Sequence, residues 1–357
     1  MAILELKGKA QTVLGPIESN QIGITLPHEH LLIDLSVRFQ PPSTITERAR
    51  AAEPVSLANL GWIRFHPMHN IDNLQLTDES LAKQELALFR DSGGNSLVEM
   101  SNIGLGRDPL ALARISRATG VNIIMGSGYY TEATWPAGTN PSEDEMVERI
   151  VQDFTVGVDG TGIKPGIIGE IGTEWPIGEG EARSLRAAAR AQKLTGAAIN
   201  IHTGNSPDNP FRVLEILMSS GADPSRVAMS HCETRIFDYE ILKRLAQMGC
   251  YVEYDTFGIE GWYARRMVLS EENPVKCDMP NDASRINVLM KLIDDGFLNQ
   301  ILVSHDICMK FQQRSYGGGG YSHILDDVVP LMRLKGMKEE HIWAILVDNP
   351  TRLLTFV

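Results

Sequence analysis

The chain is short of most features that would assign a protein to a specialised class. Its 357 residues hold four cysteines, Cys232, Cys250, Cys277 and Cys308, without CxxC or paired spacing. That excludes a disulfide framework and a thiolate zinc knuckle, and it suits a reducing compartment. Aromatic residues make up 6% of the chain, and no run of Lys and Arg stands out against a net charge of −12. A nucleic-acid surface needs a concentrated basic face, so that partner is excluded. No stretch reaches the roughly 20 apolar residues of a membrane span. The opening MAILELKGKAQTV carries no apolar core of a signal peptide. The expectation is a soluble cytoplasmic protein without a nucleic-acid or membrane partner.

Short apolar runs do recur, and there are eight: residues 23–30, 96–101, 122–128, 166–172, 198–203, 227–231, 251–255 and 301–306. They are rich in β-branched residues and lack strict alternation, as strands buried on both faces of a parallel sheet do. Amphipathic stretches separate them. Residues 77–94 open on Thr77 as a candidate N-cap, and 181–196, 210–221 and 282–296 each run to a glycine. Eight strand–helix alternations predict a (β/α)8 TIM barrel, α/β in class, spanning 1–357 as one domain with an elaborated loop at about 37–76. An open doubly wound sheet is the runner-up, but no GxGxxG follows a strand.

Catalytic groups in such barrels come from the C-terminal ends of strands. The first run ends in HEH, placing His28 and His30 two residues apart and therefore on one side of the strand. Glu170 lies inside GIIGEIG, where an unpaired buried carboxylate would cost several kcal/mol. His202 and His231 end the fifth and sixth runs, and the eighth ends in His305 and Asp306. Each has an ordinary reading alone: a hydrogen-bonded core histidine, or a helix N-cap. Together, four imidazoles and two carboxylates form a nitrogen and oxygen set suited to divalent transition metals. Six ligands exceed one tetrahedral site and fit two cations that share a carboxylate, which would offset the charge of Glu170.

The stretches TLPHEHLLIDL (25–35), GIKPGIIGEIGTEW (162–175), INIHTG (199–204), SHCE (230–233), ILVSHDI (301–307) and DNPTRLLTF (348–356) resemble the phosphotriesterase family of the amidohydrolase superfamily. CDMPNDASRI (277–286) and YGGGGYSHIL (316–325) are most similar to its phosphotriesterase-related, or resiniferatoxin-binding, branch. The resemblance implies a binuclear centre in which His28, His30 and Asp306 hold one ion and His202 and His231 the other. Glu170 would bridge them, where many family members use a carboxylated lysine. Zinc is expected, with manganese, cobalt and iron also compatible with the ligand set. The resemblance further implies a homodimer acting on a small-molecule substrate.

The expected chemistry is hydrolysis of a small ester, lactone or amide. Two cations lower the pKa of a shared water toward about 7, and Asp306 serves as general base and then acid. The proton-relay Asp and His of organophosphate-degrading relatives are replaced near Thr234 and Thr256, which weakens a phosphotriester reading. A phosphorylated lactone would need basic residues after the seventh strand, where Arg265 and Arg266 stand some way off. Two further readings are a small-ligand-binding protein on the same scaffold and a metal-dependent isomerase or lyase. Tyr129 and Tyr130, after the third strand, are candidate substrate contacts. Asn102 and Arg107 follow the second strand, and Arg107 reads either as a carboxylate anchor or as a structural partner of an Asp. His66 and His69 are expected in a solvated loop, and the glycines of YGGGGY in a flexible one.

Overall fold

A computed structural model describes residues 6–260 and 279–357, together with two short strands at Leu269–Ser270 and Asn273–Pro274. Cys277, Arg265 and Arg266 lie outside the described residues. All eight apolar runs form strands: β1 Thr25–Glu29, β2 Ser96–Glu99, β3 Asn122–Ser127, β4 Ile167–Gly172, β5 Ile199–His202, β6 Val227–Met229, β7 Tyr251–Tyr254 and β8 Ile301–Val303. They pair in parallel in sequence order, with Leu97 opposite Ile123 and Ile201 opposite Met229. The seam between β8 and β1 is closed by the Asp306 amide, which donates to the His28 carbonyl at 3.3 Å, and by the His28 amide on Ser304 Oγ at 3.2 Å. The fold is a (β/α)8 barrel, not an open sheet.

The main helices around the barrel are α1 Glu79–Asp91, α2 Pro109–Thr119, α3 Glu143–Thr155, α4 Glu179–Thr195, α5 Asn209–Ser219, α6 Tyr239–Gln247, α7 Asp282–Asp294 and α8 Val329–Leu334. Local chemistry sets their ends. Ser142 and Glu145 cap α3 reciprocally, Asn281 accepts from the Ser284 amide at the start of α7, and Gly196 ends α4 at φ 71°. The cap of α1 is Asp78, not Thr77: the Asp78 carboxylate accepts from the Ser80 and Leu81 amides. An ionised acceptor at the positive end of the helix outcompetes the hydroxyl one residue earlier.

Apolar residues pack in two layers, as a barrel requires. Val98, Ile124, Ile167, Ala198, Ala228 and Leu302 form the inner cluster, while Leu97, Ile123, Ile168, Ile199, Val227 and Ile301 join the cluster shared with the helices. Successive strand residues thus face opposite sides, with both sides apolar. An N-terminal hairpin, Lys9–Thr12 with Gly15–Glu18, closes the bottom, where the Val13 amide donates to the Ile123 carbonyl.

The excursion after β1 is structured. A two-residue ladder, Ile33–Asp34 against Gln75–Leu76, marks its two ends. Two short helices, Ile45–Ala51 and Leu60–Phe65, lie between. No helix among the described residues is long and apolar enough to cross a membrane.

Candidate metal centre

The ends of β1, β4, β5, β6 and β8 bring all six sequence-identified groups to one mouth. His202 Nδ1 lies 2.7 Å from Glu170 Oε1 and 2.8 Å from His231 Nε2, and His231 Nε2 is 3.3 Å from the same carboxylate oxygen. His28 Nε2 stands 3.5 Å from Glu170 Oε1 and 3.7 Å from Asp306 Oδ1. His30 Nε2 is 3.3 Å from Asp306 Oδ1 and 3.9 Å from Glu170 Oε2. Glu170 therefore sits at the centre, with imidazoles around it and Asp306 on the β1 side.

Backbone irregularities aim these groups. The register slips between Leu26 and Glu29 in β1 and between Ile168 and Ile171 in β4, the two places where strand interiors carry site residues. Gly169, at φ 147°, precedes Glu170, and a Cβ there would stand 2.8 Å from the Asn200 carbonyl oxygen. Of three described non-glycine residues with positive φ, two are His231 at 61° and Asp306 at 51°. Such conformations cost about 1–3 kcal/mol each and persist where the surroundings hold them in place.

A second layer orients the imidazoles. His30 Nδ1 donates to Ser101 Oγ at 3.0 Å, and Ser101 donates to Glu99 at 2.6 Å. His28 Nδ1 donates to Ser230 Oγ at 3.0 Å, and Ser230 donates to Glu253 at 2.7 Å. His231 Nδ1 meets Asp255 directly at 2.8 Å. Each arrangement assigns the proton to Nδ1 and turns Nε2 toward the mouth, leaving its lone pair available to a metal.

Electrostatics at the mouth call for positive charge. Burial alone would raise the Glu170 carboxyl, yet His202 and His28 bring it well below the usual range. Burial opposes protonation of His231, but the Asp255 carboxylate beside it raises the pKa to about 10. Burial lowers His202 to about 4. In the outer layer, burial raises Glu99 to about 7.

The residues fit a metal. His28 Nε2 is buried with no hydrogen-bond partner, although two carboxylates stand within 3.7 Å. Ligands about 2.05 Å from a tetrahedral ion lie about 3.3 Å apart, close to the spacing seen. Among the described residues, three sets that share His28 bring ligand atoms within 4.8 Å of one another: His28 with His30 and Asp306, His28 with Glu170 and His231, and His28 with Glu253 and Asp255.

A model of the Phosphotriesterase family matches residues 8–354. The chain belongs to that family. It is 42% identical over 353 residues to the N-acetyltaurine hydrolase of Rattus norvegicus, covering 98% of this chain and 99% of that protein. The crystal structure of a resiniferatoxin-binding protein from Rhodobacter sphaeroides superposes with a TM-score of 0.91 at 34% identity, over 97% of this chain and 95% of that one. A lactonase from Listeria monocytogenes aligns with a TM-score of 0.74 at 25% identity, over 98% and 99%. As a member of this family, the chain is a metal-dependent hydrolase.

Above the six groups lies a cavity of about 280 Å³, near the small end of ligand pockets (roughly 300–1,000 Å³). The two tyrosines expected together there part company. Tyr130 lines the cavity, its hydroxyl 3.1 Å from His202 Nδ1. Tyr129 packs edge-on against Trp135 at 5.5 Å and faces a different surface recess, because neighbouring residues on an extended segment point opposite ways. Tyr129, expected as a substrate contact, packs on Trp135 and does not border this cavity. Arg107 pairs with Asp153 at 3.2 Å, the structural alternative. Asn102 donates to the Glu170 carbonyl and braces the central carboxylate from behind. His66 and His69 bond to the carbonyls of Trp62 and Gln40, leaving Pro67 and Met68 to cover the cavity. His305 turns away to Glu29 at 2.7 Å and lines a second recess of about 210 Å³. Cys308 borders the main cavity, but burial holds its thiol well above the ordinary value.

Both arginines of the cavity escaped the sequence reading: Arg38, in the loop after β1, and Arg235, four residues beyond His231. A lone arginine in a loop carries no periodicity or spacing that separates it from a surface charge. The second-layer acids did carry a signal. Glu99 and Glu253 sit inside apolar strands as Glu170 does, and the same reasoning reaches them.

Proposed function

We propose that the chain hydrolyses the amide of a small N-acylated amine, N-acetyltaurine or a close relative, at a centre of two divalent ions. His28, His30 and Asp306 would hold one ion, His202 and His231 the other, and Glu170 would lie between them, with zinc the first candidate. The observation that carries this reading is the convergence of four imidazoles on one buried carboxylate with Asp306 beside it. Its support in substrate chemistry is the 42% identity to a named amide hydrolase over nearly the whole chain. The homodimer and the cytoplasmic setting expected from the sequence belong to the same reading.

When bound, such ions acidify water and polarise a carbonyl oxygen. The chain's own groups supply the rest. Asp306 is held below the ordinary carboxylate range, since the His30 contact outweighs its burial, so it is ionised at neutral pH and able to accept the proton of the attacking water. Passing that proton to the leaving nitrogen as the C–N bond breaks yields a carboxylate and an amine. Tyr130, next to His202, can donate to the substrate carbonyl. Thr234 and Thr256 are committed elsewhere, to the His231 carbonyl and to Glu233, so neither replaces the relay of a phosphotriester enzyme.

The test is metal content by plasma mass spectrometry, with turnover of N-acetyltaurine and of simple lactones before and after chelation. Two ions per chain and chelator-sensitive amide cleavage are expected; turnover that survives complete metal removal refutes the proposal. Glu170→Gln should fall below two ions per chain. Asp306→Asn should lose about 10²–10⁴-fold in kcat, and near-normal kcat would remove Asp306 from the proton-transfer role.

A further inference from the structure

We infer that Arg235, with Arg38 on the neighbouring wall, forms an oxyanion subsite that selects N-acyl substrates ending in a sulfonate or carboxylate a short tether away from the amide. The inference rests on the amide-hydrolase reading and names the part of the substrate that the metal centre does not touch.

Arg235 ends the short helix Cys232–Arg235 that follows β6 directly. Its Nε donates to the Thr203 carbonyl at 3.0 Å and its Nη1 to Thr234 Oγ1 at 2.9 Å. Thr203 is the neighbour of His202, and Thr234 Oγ1 donates to the His231 carbonyl at 3.0 Å. The guanidinium is thereby tied to the backbone beside both imidazoles. It is 6% exposed yet borders the cavity. A guanidinium stays charged at any working pH and presents a planar fork to oxyanions.

Arg38 reaches the cavity from the other side of His202, over the tips of β3 and β4. Its Nη2 meets Thr131 Oγ1 and Glu174 Oε1, each at 2.7 Å, and its guanidinium carbon lies 5.7 Å from the centre of the Tyr130 ring. The Arg38 side chain is 30% exposed at the rim, where solvent screens its charge, so the buried Arg235 is the stronger determinant. Two positive forks in a cavity of this size disfavour a cationic substrate and favour an anionic tail.

The test compares N-acetyltaurine and N-acetyl-β-alanine with the neutral N-acetyl-2-(methylsulfonyl)ethylamine, and measures ethanesulfonate binding to the metal-loaded protein by calorimetry. Arg235→Met should lower the sulfonate-to-sulfone ratio of kcat/KM by about 10- to 150-fold, the loss that follows removal of one charge-assisted hydrogen bond. It should also abolish ethanesulfonate binding while metal content stays at the wild-type value. Arg235→Lys should recover part of both, and Arg38→Met should show a smaller loss in the same direction. A preference for the carboxylate over the sulfonate would identify the headgroup without changing the subsite. If no N-acyl amine is cleaved but ethanesulfonate binds and Arg235→Met removes it, the subsite stands and the substrate reading fails. A wild-type protein that binds no ethanesulfonate, or an unchanged ratio in Arg235→Met, overturns the inference.

Discussion

At the scale of single residues, the centre depends on side chains that never reach the mouth. Ser101 and Ser230 each pass a hydrogen bond from an imidazole Nδ1 to a buried carboxylate, Glu99 or Glu253. Removing either hydroxyl takes away the bond that orients the ring, while Glu253 keeps Asn200 Nδ2 as a donor at 2.7 Å. Ser101→Ala and Ser230→Ala should each weaken metal affinity by about 10- to 100-fold, measured by competition with a chromogenic chelator, while far-UV circular dichroism stays unchanged. Affinity equal to wild type would mean that packing alone sets the ring orientation. The rule that an acid inside an apolar strand needs a partner selects Glu29, Glu99 and Glu253 as well as Glu170. The partner differs: Glu29 receives His305 and the amides of His305 and Ile307, and only Glu170 faces the mouth.

At the scale of elements, the segment expected to be flexible is tied down. The buried Glu85 of α1 accepts from the Arg314 and Ser315 amides and from the Ser315 hydroxyl. Beyond it, the Gly318 and Gly320 amides close onto Gln313 and Gln312, and Tyr321 donates to the His30 carbonyl at 2.6 Å. Glycine is required here by close approach: a Cβ at Gly318 would stand 2.1 Å from the Gln312 carbonyl oxygen. Glu85→Ala should cost about 2–4 kcal/mol, since it leaves two partly buried amides unpaired. The readout is the urea midpoint together with proteolysis within 314–320. An unchanged midpoint would mean that water replaces the carboxylate. Sequence alone showed four glycines and suggested freedom; a helix distant in sequence supplies the restraint.

At the scale of the whole molecule, the site exists only when the barrel is closed. The six proposed ligands come from five strand ends between residues 28 and 306, so an unfolded chain offers no comparable set, and metal binding would be coupled to folding. At free metal about 1,000 times Kd, one ion adds about 4 kcal/mol, on the order of 5 °C in Tm for a chain of this length. Chelation should lower Tm by at least that amount in scanning calorimetry. The increment should shrink as pH falls, because His231, raised to about 10 by Asp255 against its burial, must lose its proton to bind metal. A chelation-independent Tm would contradict a metal centre built across the barrel.

The sequence by itself determined the architecture and the set of candidate metal ligands. Eight apolar runs separated by amphipathic helices leave few alternatives to a parallel barrel, and residues two apart on a strand face one way, so HEH and the other strand-end histidines are legible as a set. Periodicity is a local property and survives in one dimension. Tertiary structure decided the rest: that Tyr130 enters the cavity while Tyr129 packs on Trp135, that serines relay two imidazoles to buried acids, that Glu85 holds the glycine loop, and that Arg38 and Arg235 share one pocket. Apart from the Tyr129–Trp135 contact, these depend on segments distant in the chain meeting in the closed barrel, through contacts between residues up to 230 apart in sequence. Nothing in the spacing of residues along the chain encodes those meetings.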